Sequence, residues 1–146
     1  MTGAPSLEYE AKEWQIDGRR NLLLTVTLPV FPYTRQTRTT RWRDNPSGAR
    51  VRAYNEARAT LRDALTAIML AEKLQPFDPV PLGMSSFFWL KNPGRVDLSN
   101  LEKALEDSGN GGILYPDDRW IWHRGFGGKA LGEPRFRLHL WEIKER

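Results

Sequence analysis

The chain has 146 residues, carries a formal net charge of +4, and contains no cysteine and only two histidines. That length allows one domain with a hydrophobic core of its own. The composition excludes a disulfide scaffold, a thiolate zinc site and a cysteine nucleophile. No segment approaches the roughly 20 consecutive apolar residues of a membrane span, and the first residues have no secretory signal. We therefore expect a single cytoplasmic domain over residues 1–146, with residues 1–13 flexible.

Hydrophobic patterning predicts an α/β fold of the α+β type, a mixed β-sheet flanked by two helices, in the approximate order β-α-β-α-β-β. Residues 14–16 and 22–28 fit the two strands of a hairpin around Asp17-Gly18. A long, proline-containing surface loop is expected over residues 29–46. The elements predicted beyond it are helices over residues 48–73 and 99–108, and strands over residues 84–90, 120–123 and 134–141.

Aromatic side chains in these elements have mainly structural interpretations. The core is expected to contain Phe87, Phe88 and Trp89. Trp120 and Trp122 are two residues apart on a predicted strand, so we expect them to share a face in the core or at a dimer interface. We expect His123 to be a structural histidine and His139 to face solvent.

Basic residues are concentrated in one segment. Eight arginines lie between residues 35 and 62, whereas the acidic residues in and next to this range are at 44, 56 and 63. Arginine suits phosphate oxygens, and a basic loop with interspersed aromatic residues favours nucleic-acid binding. The alternative for the same loop is a solvated basic surface. The candidate DNA-binding residues here are Arg35, Arg38, Arg41 and Arg43.

Acidic residues are concentrated after the predicted strand 84–90. Residues 97–107 read DLSNLEKALED, and an Asp117-Asp118 pair follows. At about 100° per residue, Asn100, Lys103 and Asp107 share a polar face of the second helix. Carboxylate oxygens are preferred ligands of Mg²⁺ and Mn²⁺, and a nearby lysine can stabilise charge on a phosphate. The pattern favours metal-dependent phosphodiester hydrolysis.

The same residues also have a purely structural explanation. Acidic side chains near a helix N-terminus are stabilised by the helix dipole. Ser99 and Glu102 have the spacing of a capping box, and Asp117-Asp118 fits a turn pair. Spacing alone leaves both explanations open.

The motif resembles that of the RusA family of Holliday junction resolvases. The family pattern is Asp-x-Asp-Asn-x-x-Lys-x-x-x-Asp, followed by an Asp-Asp pair at the entry of a strand. The residues that match it in spacing are Asp97, Asn100, Lys103, Asp107 and the Asp117-Asp118 pair. Ser99 stands where the pattern has its second aspartate. The resemblance extends over roughly residues 22–142, and the motif is its specific part.

The resemblance implies a homodimeric, Mg²⁺-dependent endonuclease, with Mn²⁺ as a substitute, that makes paired nicks in four-way DNA junctions during recombination and repair. It implies metal ligands at Asp97 and Asp118, with Asp117 beside them, and a catalytic lysine at Lys103. The neighbours expected to orient these groups are Ser99, Asn100 and Asp107. The basic residues expected to contact DNA phosphates or pair with the acids are Lys91, Arg95, Arg119 and Arg124. No organic cofactor and no membrane partner is expected.

Two other functions stay open. Because a serine hydroxyl is a poorer Mg²⁺ ligand than a carboxylate, Ser99 is consistent with a relative that binds branched DNA without cleaving it. The arginine-rich segment is consistent with a basic adaptor that binds RNA or protein.

Overall fold

The structure is a computed structural model that describes residues 7–28 and 49–143. This part of the chain contains two α-helices and six β-strands in one mixed sheet, which confirms the predicted fold class. The helices are α1 (Ala49–Ala71) and α2 (Leu98–Ser108). The strands are β1 (Glu8–Ile16), β2 (Arg19–Thr27), β3 (Leu82–Leu90), β4 (Ile121–Arg124), β5 (Gly128–Leu131) and β6 (Arg135–Glu142).

Both helices form within two residues of their predicted bounds. α1 buries Leu61, Leu65 and Ile68, whose spacings of four and three residues place them on one face. α2 buries Leu101 and Leu105, which are also one turn apart. In the described part of the chain, no helix is long and apolar enough to cross a lipid bilayer.

Strands β1 and β2 form a hairpin that is paired along all nine residues of each strand. Asp17 and Gly18 connect them with φ angles of 51° and 76°, and positive values at both positions suit a tight two-residue turn. The expectation of a flexible N-terminal stretch is therefore wrong for residues 8–13. Their charged side chains project from an edge strand into solvent, while Tyr9 packs against the core.

The strand order in the sheet is β1-β2-β6-β3-β4. β6 lies antiparallel between β2 and β3, whereas β4 and β5 both pair parallel to β3, one beside each half of it. They form an edge that is interrupted by residues 125–127. The sequence pattern does not predict β5, because glycines at positions 125, 127 and 128 interrupt the alternation. The observed order is therefore β-β-α-β-α-β-β-β.

The two faces of the sheet differ. Even-numbered side chains of β2, β3 and β6 form the hydrophobic core together with α1 and α2. The opposite face, called the open face below, carries the odd-numbered residues 21–27, 83–89 and 135–141. Phe87 and Trp89 lie on the open face, so only Phe88 is a core residue and the expectation for its two neighbours is wrong. The reason is the two-residue period of a strand, which sends adjacent side chains to opposite faces.

Trp120 and Trp122 do not share a strand face. Trp120 ends a 3₁₀ turn (Asp118–Trp120) and packs against the core. Trp122 lies on β4 and is 59% exposed. The strand begins one residue later than predicted, at Ile121. Trp120 therefore lies outside the strand, and its two-residue spacing from Trp122 does not place both on one face.

His139 does not face solvent as expected. It is half-buried on the open face, where its ring lies 5.6 Å from that of Trp14 and 4.7 Å from that of Trp141, centroid to centroid. Its Nε2 also lies 3.0 Å from the side-chain oxygen of Asn21. His123 is exposed on β4, with its ring edge-on to Trp141.

Candidate active site

The acidic side chains of α2 and of the turn that follows it surround one cavity of about 360 Å³. Its lining residues are Ser99, Glu102, Lys103, Glu106, Asp107, Asp118 and Arg124. Ser99, Lys103, Asp107 and Asp118 belong to the motif found in the sequence. The folded chain therefore brings four motif positions to one place, although Asp118 lies outside the helix that carries the others.

Asp97 contacts this cavity through Ser99 and caps α2. Its Oδ1 accepts hydrogen bonds from the Ser99 backbone N–H at 3.0 Å and from the Ser99 hydroxyl at 2.7 Å. These bonds lower the pKa of the Asp97 carboxyl, because they stabilise its charged form. The capping-box interpretation of Ser99 and Glu102 is wrong, since Asp97 is the N-cap and Glu102 lines the cavity.

Lys129 of β5 holds the segment that leads into Asp97. Its ammonium group donates hydrogen bonds to the backbone carbonyls of Pro93 and Val96. Its positive charge adds to the lowering of the Asp97 pKa that the Ser99 bonds produce. Sequence reasoning did not assign Lys129 to the site, because its contacts are more than 30 residues away along the chain.

Asp107 is held by two partners. The Tyr54 hydroxyl of α1 donates a hydrogen bond to Asp107 Oδ2, and Lys103 Nζ lies 4.0 Å from the same oxygen. Burial raises the pKa of Tyr54, and the bond to Asp107 raises it further, so the phenol remains a donor. The Lys103 side chain is 70% exposed whereas that of Asp107 is 15% exposed. The lysine thus extends from a half-buried carboxylate towards solvent.

Asp118 approaches the cavity from the chain that follows α2. Backbone hydrogen bonds such as Leu114 N–H to Gly109 O, at 3.0 Å, fold this connection back on the helix end. Burial raises the pKa of Asp118, and the neighbouring carboxylates of Asp117 and Asp107 act in the same direction. Asp107 and Asp118 are therefore close enough to repel each other when both are charged.

The other predicted site residues do not line the cavity. Asp117 is exposed and caps the following 3₁₀ turn, with its Oδ1 accepting the Arg119 N–H at 2.9 Å. Arg95 and Arg119 are exposed, and Asn100 is half-buried on α2. The residues predicted in the basic loop, Arg35, Arg38, Arg41 and Arg43, lie outside the described residues.

Glu106 and Arg124 form a two-pronged ion pair in the cavity wall. Arg124 Nε lies 2.8 Å from Glu106 Oε2, and Nη2 lies 2.5 Å from Oε1. Glu106 is only 9% exposed, and its hydrogen bond raises the pKa of Arg124. Of the two expectations for Arg124, pairing with an acid is confirmed. Nothing in the sequence predicts that Glu106 belongs to the site, because its partner is 18 residues away.

Glu102 is enclosed by the loop between β4 and β5. Burial raises the pKa of its carboxyl, and the charge of Glu106 raises it further. Gly127 approaches it so closely that a Cβ there would lie 2.9 Å from Glu102 Oε2 and 2.9 Å from the carbonyl oxygen of Ser86. This contact explains the glycine at position 127. The Glu102 side chain could move away from a Cβ there, but the backbone carbonyl of Ser86 could not.

The donor set of the cavity suits a hard divalent cation. Glu102, Asp107 and Asp118 offer only oxygen ligands, and the crowding of their charges would be relieved by a cation. Within residues 7–28 and 49–143, no group of three or more acidic or histidine side chains converges closely enough to hold a metal ion. Mg²⁺ is usually bound through one or two carboxylates, with water and substrate phosphate completing its shell. The residues present therefore fit Mg²⁺ in donor chemistry.

The fold and the cavity define an α+β domain with an acidic cavity along one face of the short helix α2. No family model matches this chain, and no curated protein sequence matches it. The likeness to the RusA pattern accordingly rests on the motif residues themselves.

Proposed function

We propose that this protein is a metal-dependent endonuclease that acts on four-way DNA junctions, like the RusA family that it resembles. The observation that carries the proposal is the meeting of Lys103, Asp107 and Asp118 at one cavity. Asp97 is joined to the same cavity through its hydrogen bonds with Ser99. Carboxylates that only cap a helix would not be expected to line a cavity together with an exposed lysine.

As the resemblance implies, Asp97 and Asp118 would hold Mg²⁺, or Mn²⁺ in its place, with the cavity carboxylates Glu102 and Asp107 beside them. The chemistry that such a cation supplies when bound is polarisation of the scissile phosphate and activation of a water molecule. Tyr54 orients Asp107 by its hydrogen bond. Lys103 offers N–H donors to the charge that develops on the phosphate during hydrolysis.

Basic residues around the cavity would bind the DNA backbone. Arg95 and Arg119 are exposed in the two 3₁₀ turns that flank α2 along the chain, Pro93–Arg95 and Asp118–Trp120. They would offset the repulsion between a polyanionic substrate and the acidic cavity, and the arginines at 35–43 would extend the contact. A homodimer would present one site to each of the two nicked strands. We infer a cytoplasmic setting, which the absence of cysteine permits.

The direct test is incubation with an end-labelled synthetic four-way junction, with Mg²⁺, with Mn²⁺ or with EDTA. A linear duplex of the same arm sequences is the matched substrate control. We expect paired nicks in the junction alone, and only with a divalent cation. Equal cutting of the duplex, or cutting in EDTA, would contradict the proposal.

One observation favours the alternative of a relative that binds branched DNA without cleaving it. The Ser99 hydroxyl already stabilises the Asp97 carboxylate at 2.7 Å, so Asp97 needs no cation to be accommodated in the fold. This alternative predicts junction binding in gel-shift measurements without metal-dependent nicking. It also predicts that Ser99→Asp restores nicking, whereas an intrinsically active site would already cleave with serine in place.

A further inference from the structure

The open face of the sheet carries two arginines that have no acidic partner within residues 7–28 and 49–143. Arg135 and Arg137 are exposed neighbours on the same face of β6. Their guanidinium carbons lie 4.2 Å and 5.6 Å from the ring centroid of Trp89. Among the described residues, the four salt bridges involve neither arginine. Two exposed guanidinium groups thus lie over one indole ring, and neither forms a salt bridge in the part of the chain that the structure describes.

A second cavity, of about 350 Å³, lies beside these arginines. Its lining residues are Leu23, Ser85, Ser86, Phe87, Phe126, Arg137 and His139. The Phe87 ring packs 4.7 Å from that of Trp89, centroid to centroid. Phe126 is 87% exposed, so its ring contributes little to the core. Aromatic surface, the Ser85 hydroxyl and a guanidinium therefore surround one opening.

This combination suits a single strand of nucleic acid. Unpaired bases stack on aromatic side chains irrespective of their sequence, while arginines track the phosphates. A regular duplex would offer phosphates to Arg135 and Arg137 but no base face to Phe87 or Phe126.

The distribution of charge favours a polyanion over a second copy of this chain. The acidic residues Glu8 and Glu10 project from β1, which is separated from β6 by β2, so their backbone lies about 10 Å from that of the arginines. A two-fold contact centred on Arg135 and Arg137 would bring like charges together. A phosphate backbone along β6 would instead neutralise them.

We propose that the open face binds a segment of single-stranded DNA. One unpaired base would stack between Phe87 and Phe126, and the flanking phosphates would pair with Arg135 and Arg137. The choice of DNA rests on the proposed function, in which the substrate is a branched DNA. The surface lies on the side of the sheet opposite the acidic cavity, so this segment is a second contact and not the cleaved phosphate.

The test is fluorescence anisotropy of a labelled oligothymidylate of about 12 nucleotides, titrated with the full chain in EDTA at several salt concentrations. Phe126→Ala should weaken binding about 5- to 10-fold and leave the salt dependence unchanged, because it removes stacking but no charge. The double variant Arg135→Ala/Arg137→Ala should reduce the slope of log affinity against log salt by about 1.4, the share of two phosphate contacts on a single strand.

The matched controls are Leu70→Ala, an exposed apolar residue of α1, and Lys73→Asn, which removes an exposed charge just after that helix. Both should bind the oligonucleotide as the unaltered chain does. Losses equal to those of the open-face variants would overturn the proposal, as would stronger binding of a duplex or of the matching oligouridylate. A change from dimer to monomer in Phe126→Ala with unchanged oligonucleotide binding would make the open face a self-association surface, and would also overturn it.

Because these titrations contain no divalent cation, they separate this inference from the proposed nuclease activity. Oligonucleotide binding without junction cleavage would count against the nuclease alone. Junction cleavage, together with unaltered oligonucleotide binding by Phe126→Ala, would count against the open-face site alone.

Discussion

Charged side chains on the two faces of the sheet have different environments. On the helix-covered side, Glu106 is buried and paired with Arg124 through two hydrogen bonds. On the open face, Arg135 and Arg137 stack on Trp89 without an acidic partner among the described residues. A buried charge has to be paired because it has lost its water, whereas an exposed guanidinium stays hydrated. The Glu106–Arg124 pair of the helix-covered side is therefore formed without a ligand, whereas Arg135 and Arg137 are exposed on the open face.

The largest effect that would test the covered side is expected for Asp118→Asn. Loss of this carboxylate should lower metal-dependent junction nicking by at least about 100-fold, since even residues that only orient metal ligands contribute 10- to 100-fold. Burial raises the pKa of Asp118, with help from Asp117 and Asp107, so removal of its charge should not lower the melting temperature. Nicking is measured on labelled junctions and stability by thermal unfolding.

The control for this variant is Asp63→Asn, which removes an exposed carboxylate from α1. It should nick at the unaltered rate, and both variants should bind the junction in EDTA. Retained nicking by Asp118→Asn would remove Asp118 from the set of metal ligands.

Gly127→Ala tests the loop that joins the two faces, since Phe126 lines the open-face cavity and Gly127 presses on Glu102. The added Cβ would meet the Ser86 carbonyl at 2.9 Å, and we expect a loss of about 1–3 kcal/mol in the free energy of unfolding. The matched control is Gly94→Ala, because a Cβ at Gly94 has no neighbour within 4 Å. Equal stability of the two variants in urea would show that the loop does not pack as described.

Local patterns predicted the helices and the polar face of α2 because helix periodicity is contained in neighbouring residues. Residues 8–13 escaped prediction because they become a strand only by pairing with β2. The same holds for β5, whose four residues pair with the second half of β3. Strand formation there depends on a partner far along the chain, and no window of sequence contains both.

The candidate site was predictable to a similar extent as the fold, in its local contacts but not in its long-range ones. Spacing along α2 placed Lys103 and Asp107 on one face, and their 4.0 Å ion pair confirms it. The Tyr54 hydrogen bond to Asp107 spans 53 residues and was not predictable, because it depends on how α1 packs against α2. The hydrogen bond of Ser99 to Asp97 was also missed, since spacing does not say whether a hydroxyl turns towards a neighbouring carboxylate or a ligand.

Ser99→Asp should make the stability of the covered side depend on a divalent cation. The new carboxylate would lose the 2.7 Å hydrogen bond to Asp97 and add repulsion in its place. We expect the melting temperature to fall without metal and to recover by ~3 °C in excess Mg²⁺, which corresponds to roughly 1 kcal/mol.

Ser99→Ala is the matched control for that variant, because it removes the same hydroxyl without adding charge. Its melting temperature should respond to Mg²⁺ no more than that of the unaltered chain. An equal response of both variants would mean that Mg²⁺ acts elsewhere on the protein.

The smallest expected effect concerns His139 on the open face. Burial between Trp14 and Trp141 lowers its pKa, so the folded state binds fewer protons than the unfolded chain once the pH falls below about 6.5. The free energy of unfolding should therefore decrease as the pH falls through this range, and His139→Gln should reduce that decrease. His123→Gln is the control because His123 is exposed on β4. Urea titrations of the three proteins between pH 7.5 and 5 measure the difference, and an equal decrease in all three would mean that His139 is solvated. In that case the rings of Trp14 and Trp141 would not shield His139 from water. Hydration of the open face, in contrast to the ion pair on the helix-covered side, would then extend to this half-buried side chain as well.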